Sequence, residues 1–293
     1  MHGSDEPSER EAATVRAMAA EVYGAGCATC RHIGWGNNQI WEIQHADGRD
    51  YLKRYMAGRD CYLREAWALE MLKGRVPIPK VRLAREDDGA GCPILLTRGV
   101  SGVPLDKVES GRVPLVARMG TALAGLHNIA DELGPLPPFL RPQPGPRLDD
   151  AAPLVDAEVA GAIDLERVRA AMTSLAQPRR PVVAHRDFGD WQCLVAEGEI
   201  VAIVDWEATS ISDPEADLAF AGAFLRAFRV SDEESAFLGA YQEACHNRPD
   251  LVLYEELIQG FLLALHALWR GRAQAFEAGR AKPALLDSAG GAR

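Results

Sequence analysis

The sequence predicts an α+β fold in two lobes: a small N-terminal lobe built on a β-sheet with a helix, and a larger, mainly helical C-terminal lobe. Three observations predict it. Short apolar runs alternate with Gly- and Asp-containing turns between residues 27 and 55. Helical periodicity covers 115–127, 154–175, 233–245 and 254–276. Between the helical blocks, in 182–219, short apolar strands each end in a cluster of polar side chains. With 293 residues the chain can bury two cores, and 47% hydrophobic residues mark it as globular rather than disordered.

In the first lobe, 9–23 is an Ala-rich helix. Strands follow at 27–33, 39–45 and 50–55, joined by Gly34-Trp35-Gly36-Asn37-Asn38 and Ala46-Asp47-Gly48. A strand, a Gly-rich turn and a second strand can fold over a nucleotide, leaving backbone N–H groups free for phosphate. Gly34, Gly36 and Asn37 are the candidates. The same signal marks any hairpin, and no Gly-Lys-Ser/Thr follows to make a Walker motif. Asp60 is positioned to cap a helix at 61–73 that Gly74 and Pro77 end. Glu65, Leu69 and Leu72 share one face of it. A carboxylate on an apolar stripe needs a partner, because burying a lone charge is costly. Lys53 on the third strand is the natural one, and Glu70, one step off that face, is the weaker alternative to Glu65. The strand at 93–98 runs into a Gly-containing connector ending at Gly102.

In the second lobe, Leu115, Met119, Ala122 and Leu126 are in helical step, with His127 as a packing or capping residue. The Pro-rich 134–146 cannot be a regular helix. In 254–276, Leu257, Phe261, Leu265, Leu268 and Trp269 form a core stripe, and His266 reads as a satisfied core histidine. The end, from Ala281, reads as frayed.

The stretch 182–219 carries the chemistry. A buried strand at 182–184 delivers His185-Arg186-Asp187. Strands at 193–196 and 200–204, joined through Glu197-Gly198-Glu199, deliver Asp205. Asp187, Gln192 and Asp205 then stand at neighbouring strand ends. Phosphoryl transfer uses such a set: one carboxylate for the attacking hydroxyl, and a second carboxylate with an amide carbonyl to hold Mg²⁺ against the phosphates. Asp187-Phe188-Gly189 imitates the metal-binding tripeptide of protein kinases, but it follows His-Arg directly, so its position is that of the catalytic loop. Ordinary turn carboxylates are the plainer alternative for any one of these residues; three at linked spacings are harder to dismiss.

Here the chain resembles the aminoglycoside phosphotransferase and choline kinase group, which shares the protein-kinase-like fold. The matching residues are His185, Asp187, Asp205-Trp206-Glu207, Asp213-Pro214 and Asp217-Leu218-Ala219. Arg64-Glu65-Ala66, Leu69, Leu72 and Pro77-Ile78-Pro79 also look like the group's helix-to-strand segment. Arg186 stands where the group has Gly, and Gln192 where it has Asn. The resemblance implies a nucleotide-binding lobe at 1–98, a hinge at 99–102 whose backbone reads the adenine edge near Thr97 and Gly99, and a catalytic and substrate-binding lobe at 103–293. It implies transfer of the γ-phosphoryl group of ATP, or GTP, to a hydroxyl. Asp187 serves as catalytic residue, Gln192 and Asp205 hold Mg²⁺, Lys53 steadied by Glu65 grips the phosphates, and His185 and Asp217 support the loop.

The implied acceptor is an aminoglycoside or similar antibiotic, in resistance or biosynthesis, and the net charge of −10 is compatible with a cationic one. Nucleoside or peptide antibiotics, choline, homoserine and sugar-like metabolites are alternatives. So is a nucleotide-binding pseudokinase with a regulatory role, which the Gln192 departure favours. A protein acceptor is disfavoured, because no activation segment separates Asp205 from Asp213. The acidic balance argues against a nucleic-acid partner. The polar N-terminus, and the expectation that no run is long enough to span a membrane, point to a cytoplasmic protein with reduced cysteines. Cys27 and Cys30 form a lone C-x-x-C, weak support for a zinc site and, with Arg31 where His is needed, none for haem attachment; two thiols lying in a strand is the plainer reading and a redox role the alternative.

Overall fold

The computed structural model describes residues 7–26, 28–35, 38–129, 132, 134–146, 148, 163–229 and 231–277. The chain begins with α1 (Glu9–Tyr23), as its composition predicts, closed by a capping box between Ser8 and Glu11. Strands β1 (Ala28–Trp35), β2 (Gln39–His45), β3 (Gly48–Arg54), β4 (Val81–Arg85) and β5 (Ile94–Arg98) form one antiparallel sheet in the order β1-β2-β3-β5-β4.

Strand alternation sorts this sheet into two faces. Trp41, Ile43, Leu52, Ile94 and Leu96 pack against Val15, Met18 and Ala19 of α1. Ile40, Tyr51, Lys53, Leu95 and Thr97 face the other way and line an interlobe cleft. Lys53 is therefore aimed at the cleft by the same alternation that sends Leu52 into the core.

Helix α2 (Arg59–Met71) crosses beside the sheet. Its N-cap is Gly58, which offers no side-chain cap, and not Asp60. Asp60 sits inside the first turn, where its charge suits the positive end of the helix dipole.

Past β5, β6 (Val103–Pro104) joins the second lobe through a small sheet in the order β6-β8-β9, with β8 (Cys193–Ala196) and β9 (Glu199–Ile203). Their hairpin turns at Glu197 and Gly198, both at positive φ. A second pairing joins β7 (Val182–Ala184) to β10 (Ser210–Ser212). The helices are α3 (Arg112–Asn128), α4 (Leu165–Ser174), α5 (Glu215–Phe228), α6 (Ser231–Ala244) and α7 (Leu251–Glu277). Helix α3 packs on α6, and α7 on α4 and α5. This is the two-lobed, protein-kinase-like α+β architecture that the resemblance implies.

Several expectations shift. Helix α3 starts at Arg112, and its buried stripe runs through Val116, Met119, Leu123 and Leu126, leaving Leu115 and Ala122 partly buried. The apolar residues of this helix are dense enough to suit two adjacent faces, and packing against α6 selects one. Of the helix expected at 154–175, the part up to 162 lies outside the described residues, and α4 is capped by Asp164. Leu257 and Phe261 are core, but Leu268 and Trp269 are 50% and 39% exposed. The Nε2 of His266 is buried and, among the described residues, has no hydrogen-bond partner, so the expected satisfied histidine is not found. The 19 residues Leu251–Trp269, at mean hydropathy 1.5, are long and apolar enough to cross a membrane, contrary to the sequence expectation. One side of that helix, through Leu253, Leu257, Ile258 and Phe261, instead fills the core of the second lobe.

Gly120 marks the closest approach of α3 and α6: a Cβ there would lie 2.2 Å from the Phe237 carbonyl oxygen. Alanine in a helix is ordinarily favoured over glycine by ~1 kcal/mol. Here we expect Gly120→Ala to destabilise the protein by about 2 kcal/mol, read as a lower urea midpoint; an unchanged or higher midpoint would show that the two helices can part.

Candidate active site

At the exit of β7 the backbone makes a tight reversal. Arg186 adopts φ 70, a left-handed conformation that costs a side-chain-bearing residue on the order of 1 kcal/mol. The resembled group places Gly there. In this chain Asp217, fully buried at the start of α5, holds the turn by accepting from the backbone N–H of His185 (2.7 Å) and of Arg186 (2.6 Å). The Arg186 guanidinium adds bonds to Ser212 Oγ (2.9 Å) and the Pro144 carbonyl (3.1 Å), tying the turn to the Pro-rich connector.

His127 Nε2 reaches Asp217 at 3.2 Å, and its Nδ1 reaches Tyr241 Oη at 2.8 Å. Burial pushes the Asp217 carboxyl pKa up, but the His127 contact and its other donors outweigh that and hold it below the ordinary value. His185 is wholly buried, which pulls its pKa down and keeps it neutral. Its Nε2–H donates to the Val204 carbonyl (3.0 Å) and its Nδ1 accepts from the Asp187 N–H (3.3 Å). The ring thus links the catalytic turn to the strand exit that carries Asp205. The expected support from His185 and Asp217 has this geometry; His127, read from sequence as packing, belongs to the same network.

Phe188 is fully buried against His185 and Phe237, so Asp187-Phe188-Gly189 lies in the loop after β7. A single turn of 3-10 helix over Asp190–Gln192 leads into β8. Asp190 anchors it by accepting from Arg112 Nη2 (2.7 Å) and Arg229 Nε (2.9 Å). The Val204 N–H donates to the Gln192 carbonyl at 3.0 Å. Asp205 follows at φ 67, strained backbone of the kind that persists at functional sites when the surroundings enforce it. As a result the three expected side chains converge. Gln192 Nε2 donates to Asp187 Oδ2 at 3.0 Å and approaches Asp205 Oδ2 at 3.3 Å.

From the other lobe, Lys53 Nζ meets Glu65 Oε2 at 2.8 Å, as the sequence predicts, and also Asp205 Oδ1 and Glu207 Oε2 at 2.5 Å each. Burial alone would lower the ammonium's pKa, but the carboxylates of Glu65, Asp205 and Glu207 dominate and hold it firmly charged. Tyr55 Oη donates to the same oxygen of Glu65 at 2.7 Å. Asn38 bonds Glu207 through its amide and accepts from the Ala57 N–H. Glu207, Asn38 and Tyr55 were not singled out from sequence. Glu207 was visible within Asp205-Trp206-Glu207, yet its direction depends on the left-handed Asp205 and the following 3-10 turn, which no local pattern announces.

Asn38, Lys53, Glu65, Gln192, Asp205 and Glu207 line a cleft of about 500 Å³ between the lobes, with apolar walls from Ile40 and Leu95 on one side and Leu194 and Trp206 on the other. Thr97, Arg98, Val100 and Gly102 border it. Gly99 does not. Its N–H donates to the Arg49 carbonyl (2.9 Å), and a Cβ there would meet that oxygen at 2.1 Å. Glycine is needed for this close approach, so the expected nucleotide contact at Gly99 is corrected to a packing role. Gly34 lies within β1, paired with Ile40 beside a bulge, and not in a phosphate-cradling turn. Gly36 and Asn37 lie outside the described residues.

The donor set suits a hard divalent cation. Burial first, then the neighbouring Asp205 charge, pushes the Asp187 pKa up to about 7. Burial raises Asp205 too, but Lys53 more than offsets this and holds it low. Two close carboxylates, one of them resisting ionisation, are what a bound cation relieves. With the amide carbonyl of Gln192 available after rotation, all the donors are oxygens.

No curated protein sequence matches the chain. Solved structures share its fold. Macrolide 2′-phosphotransferase MphH from Brachybacterium faecium is 21% identical over 91% of this chain and 96% of its own, with a TM-score of 0.59. Aminoglycoside-3′-phosphotransferase of type VIII is 18% identical over 88% and 100%, at 0.62. A thermostable mutant of aminoglycoside phosphotransferase APH(4)-Ia, in ternary complex with AMP-PNP and hygromycin B, is 17% identical over 95% and 100%, at 0.62. At such identities the likeness is one of fold. The model of the phosphotransferase enzyme family, however, matches residues 29–274, from β1 into α7. The chain belongs to that family.

Proposed function

We propose that the chain transfers the γ-phosphoryl group of ATP, or GTP, to a hydroxyl of a small molecule in the cytoplasm. One observation carries this reading: Gln192 and Asp205 stand in the cleft that also receives Lys53 from the opposite lobe, and Gln192 holds Asp187 beside them. The complex of APH(4)-Ia with AMP-PNP supports a nucleotide in the equivalent fold.

In the proposed reaction the acceptor oxygen forms the new P–O bond. The bond from the γ-phosphorus to the bridging oxygen breaks, the nucleoside diphosphate leaves, and the hydroxyl proton passes to Asp187. The Asp187 pKa of about 7 belongs to the metal-free site, and a cation held by Gln192 and Asp205 would lower it, leaving the carboxylate ionised to accept the proton. Gln192 and Asp205 would hold Mg²⁺, which supplies charge neutralisation at the phosphates. Lys53 lies between Glu65 and the pair Asp205 and Glu207. A phosphate can replace the latter two as its partners while Glu65, supported by Tyr55, keeps the ammonium in place. Catalysis is then mainly positioning and electrostatics.

We expect Asp187→Asn to lower transfer by about 10²–10⁴-fold while nucleotide binding persists, measured by phosphate gain and by calorimetry. Asp205→Ala should remove the Mg²⁺ dependence of nucleotide binding. Tight nucleotide binding by the unaltered chain without transfer to any acceptor would favour the pseudokinase alternative.

A pH effect follows from Asp187. Its pKa is about 7 in the folded protein and ~3.9 in an unfolded chain. Folding takes up a proton between these values, so the stability that Asp187 contributes to the metal-free protein is fully present below about pH 4 and is lost as the pH rises through about 7. Asp187→Asn should therefore be the more stable form at pH 8 by up to about 4 kcal/mol, with the gap closing towards pH 4 in urea unfolding with chelator. A gap independent of pH would show that Asp187 is not raised.

A further inference from the structure

We infer that the acceptor is a bulky, mainly apolar ring compound bearing a free hydroxyl, and not a polyamine sugar, and that it lies along an aromatic wall leading out from the catalytic loop. This rests on the phosphotransferase reading above and names the acceptor class for that same site.

The wall begins at Trp191, which lies between Asp187 and Gln192 in sequence. Its ring is tilted against Phe224 with centroids 4.4 Å apart and meets Phe220 edge-on at 6.0 Å. Phe224 continues to Phe228 at 5.8 Å, and Phe228 to Trp269 of α7 at 5.8 Å. The rings thus run from the loop that holds the catalytic carboxylate to the surface. Phe228 and Trp269 remain 46% and 39% exposed. Contiguous exposed apolar surface of this kind marks an interaction site.

Beside the outer end lies a cavity of about 400 Å³, walled by Ile163, Phe228, Leu262 and Trp269. Its polar side chains are Gln259 and His266. His266 Nε2 is buried and has no partner among the described residues. An apolar pocket with one or two unspent polar groups is the usual form of a site for a ring compound: the walls supply affinity and the polar group orientation. An unpaired imidazole nitrogen there costs stability unless a ligand hydroxyl or carbonyl meets it.

A polyamine would instead need free carboxylates. Among the described residues, five on this side are engaged. Asp190 and Glu233 share Arg112, Glu234 and Glu255 share Arg226, and Glu256 pairs with Arg167. The net charge of −10 that made a cationic acceptor plausible is, at these positions, spent within ion pairs.

The test uses the full chain with Mg²⁺ and ATP. Phosphate gain by mass spectrometry is compared for a glycosylated macrocyclic lactone, a fused-ring steroid alcohol and a deoxystreptamine-type amino sugar. Binding of each without nucleotide is followed by tryptophan fluorescence, which reports on Trp191 and Trp269. We expect an apolar compound to quench the fluorescence and gain phosphate, and Phe228→Ser and His266→Phe each to raise its KM at least tenfold with a smaller change in kcat. Phosphorylation of the amino sugar alone, or absence of any quenching by the apolar compounds, would overturn this inference and leave the donor site standing. Quenching by an apolar compound in a chain that neither binds nor turns over Mg²⁺-ATP would uphold the pocket and overturn the phosphotransferase reading. Wild-type KM in both variants would also overturn the inference.

Discussion

One buried ammonium joins the two lobes. Lys53 is only 12% exposed in its side chain and is held by Glu65 of its own lobe and by Asp205 and Glu207 of the other. Neither the cation nor its partners could be buried alone, since an unpaired charge removed from water costs several kcal/mol. Much of the local structure serves this group. Strand alternation aims it, Tyr55 and Asn38 orient two of its carboxylates, and the left-handed backbone at Asp205 turns a third towards it. A cluster of three carboxylates about one cation is also poised for exchange, because an incoming phosphate offers the same charge to the same ammonium.

The catalytic turn is supported from behind by a second buried carboxylate. Asp217 accepts from two successive backbone N–H groups and from His127, and neutral His185 carries the support across to the exit of β9. This network explains how arginine is tolerated at position 186. The left-handed backbone is paid for by hydrogen bonds to its N–H and by a guanidinium that reaches the Pro-rich connector. Gln192 is accommodated by similar means. Its backbone carbonyl is fixed by Val204, and its longer arm still reaches both neighbouring carboxylates.

Away from the nucleotide side the character of the surface changes. Among the described residues, Arg226 of α5 is matched in ion pairs with Glu234 of α6 and Glu255 of α7, while aromatic rings form a line from Trp191 outward. Net charge alone is a poor guide to ligand class, because it counts charges without saying which are already neutralised.

The sequence by itself determined the placing of Asp187, Gln192 and Asp205 at strand ends, the pairing of Lys53 with Glu65, and most of the strands and helices, but neither β4 nor α5, the helix that carries Asp217. These follow from alternation, helical periodicity and turn residues, which act over a few neighbours. Tertiary structure decided the rest. The part played by Glu207 depends on a backbone reversal at a non-glycine residue. Gly99 is required by the close approach of Arg49, a contact between strands. The core face of α3 was chosen by α6. Each of these turns on what another segment of chain places opposite, and a one-dimensional pattern carries no record of its partner.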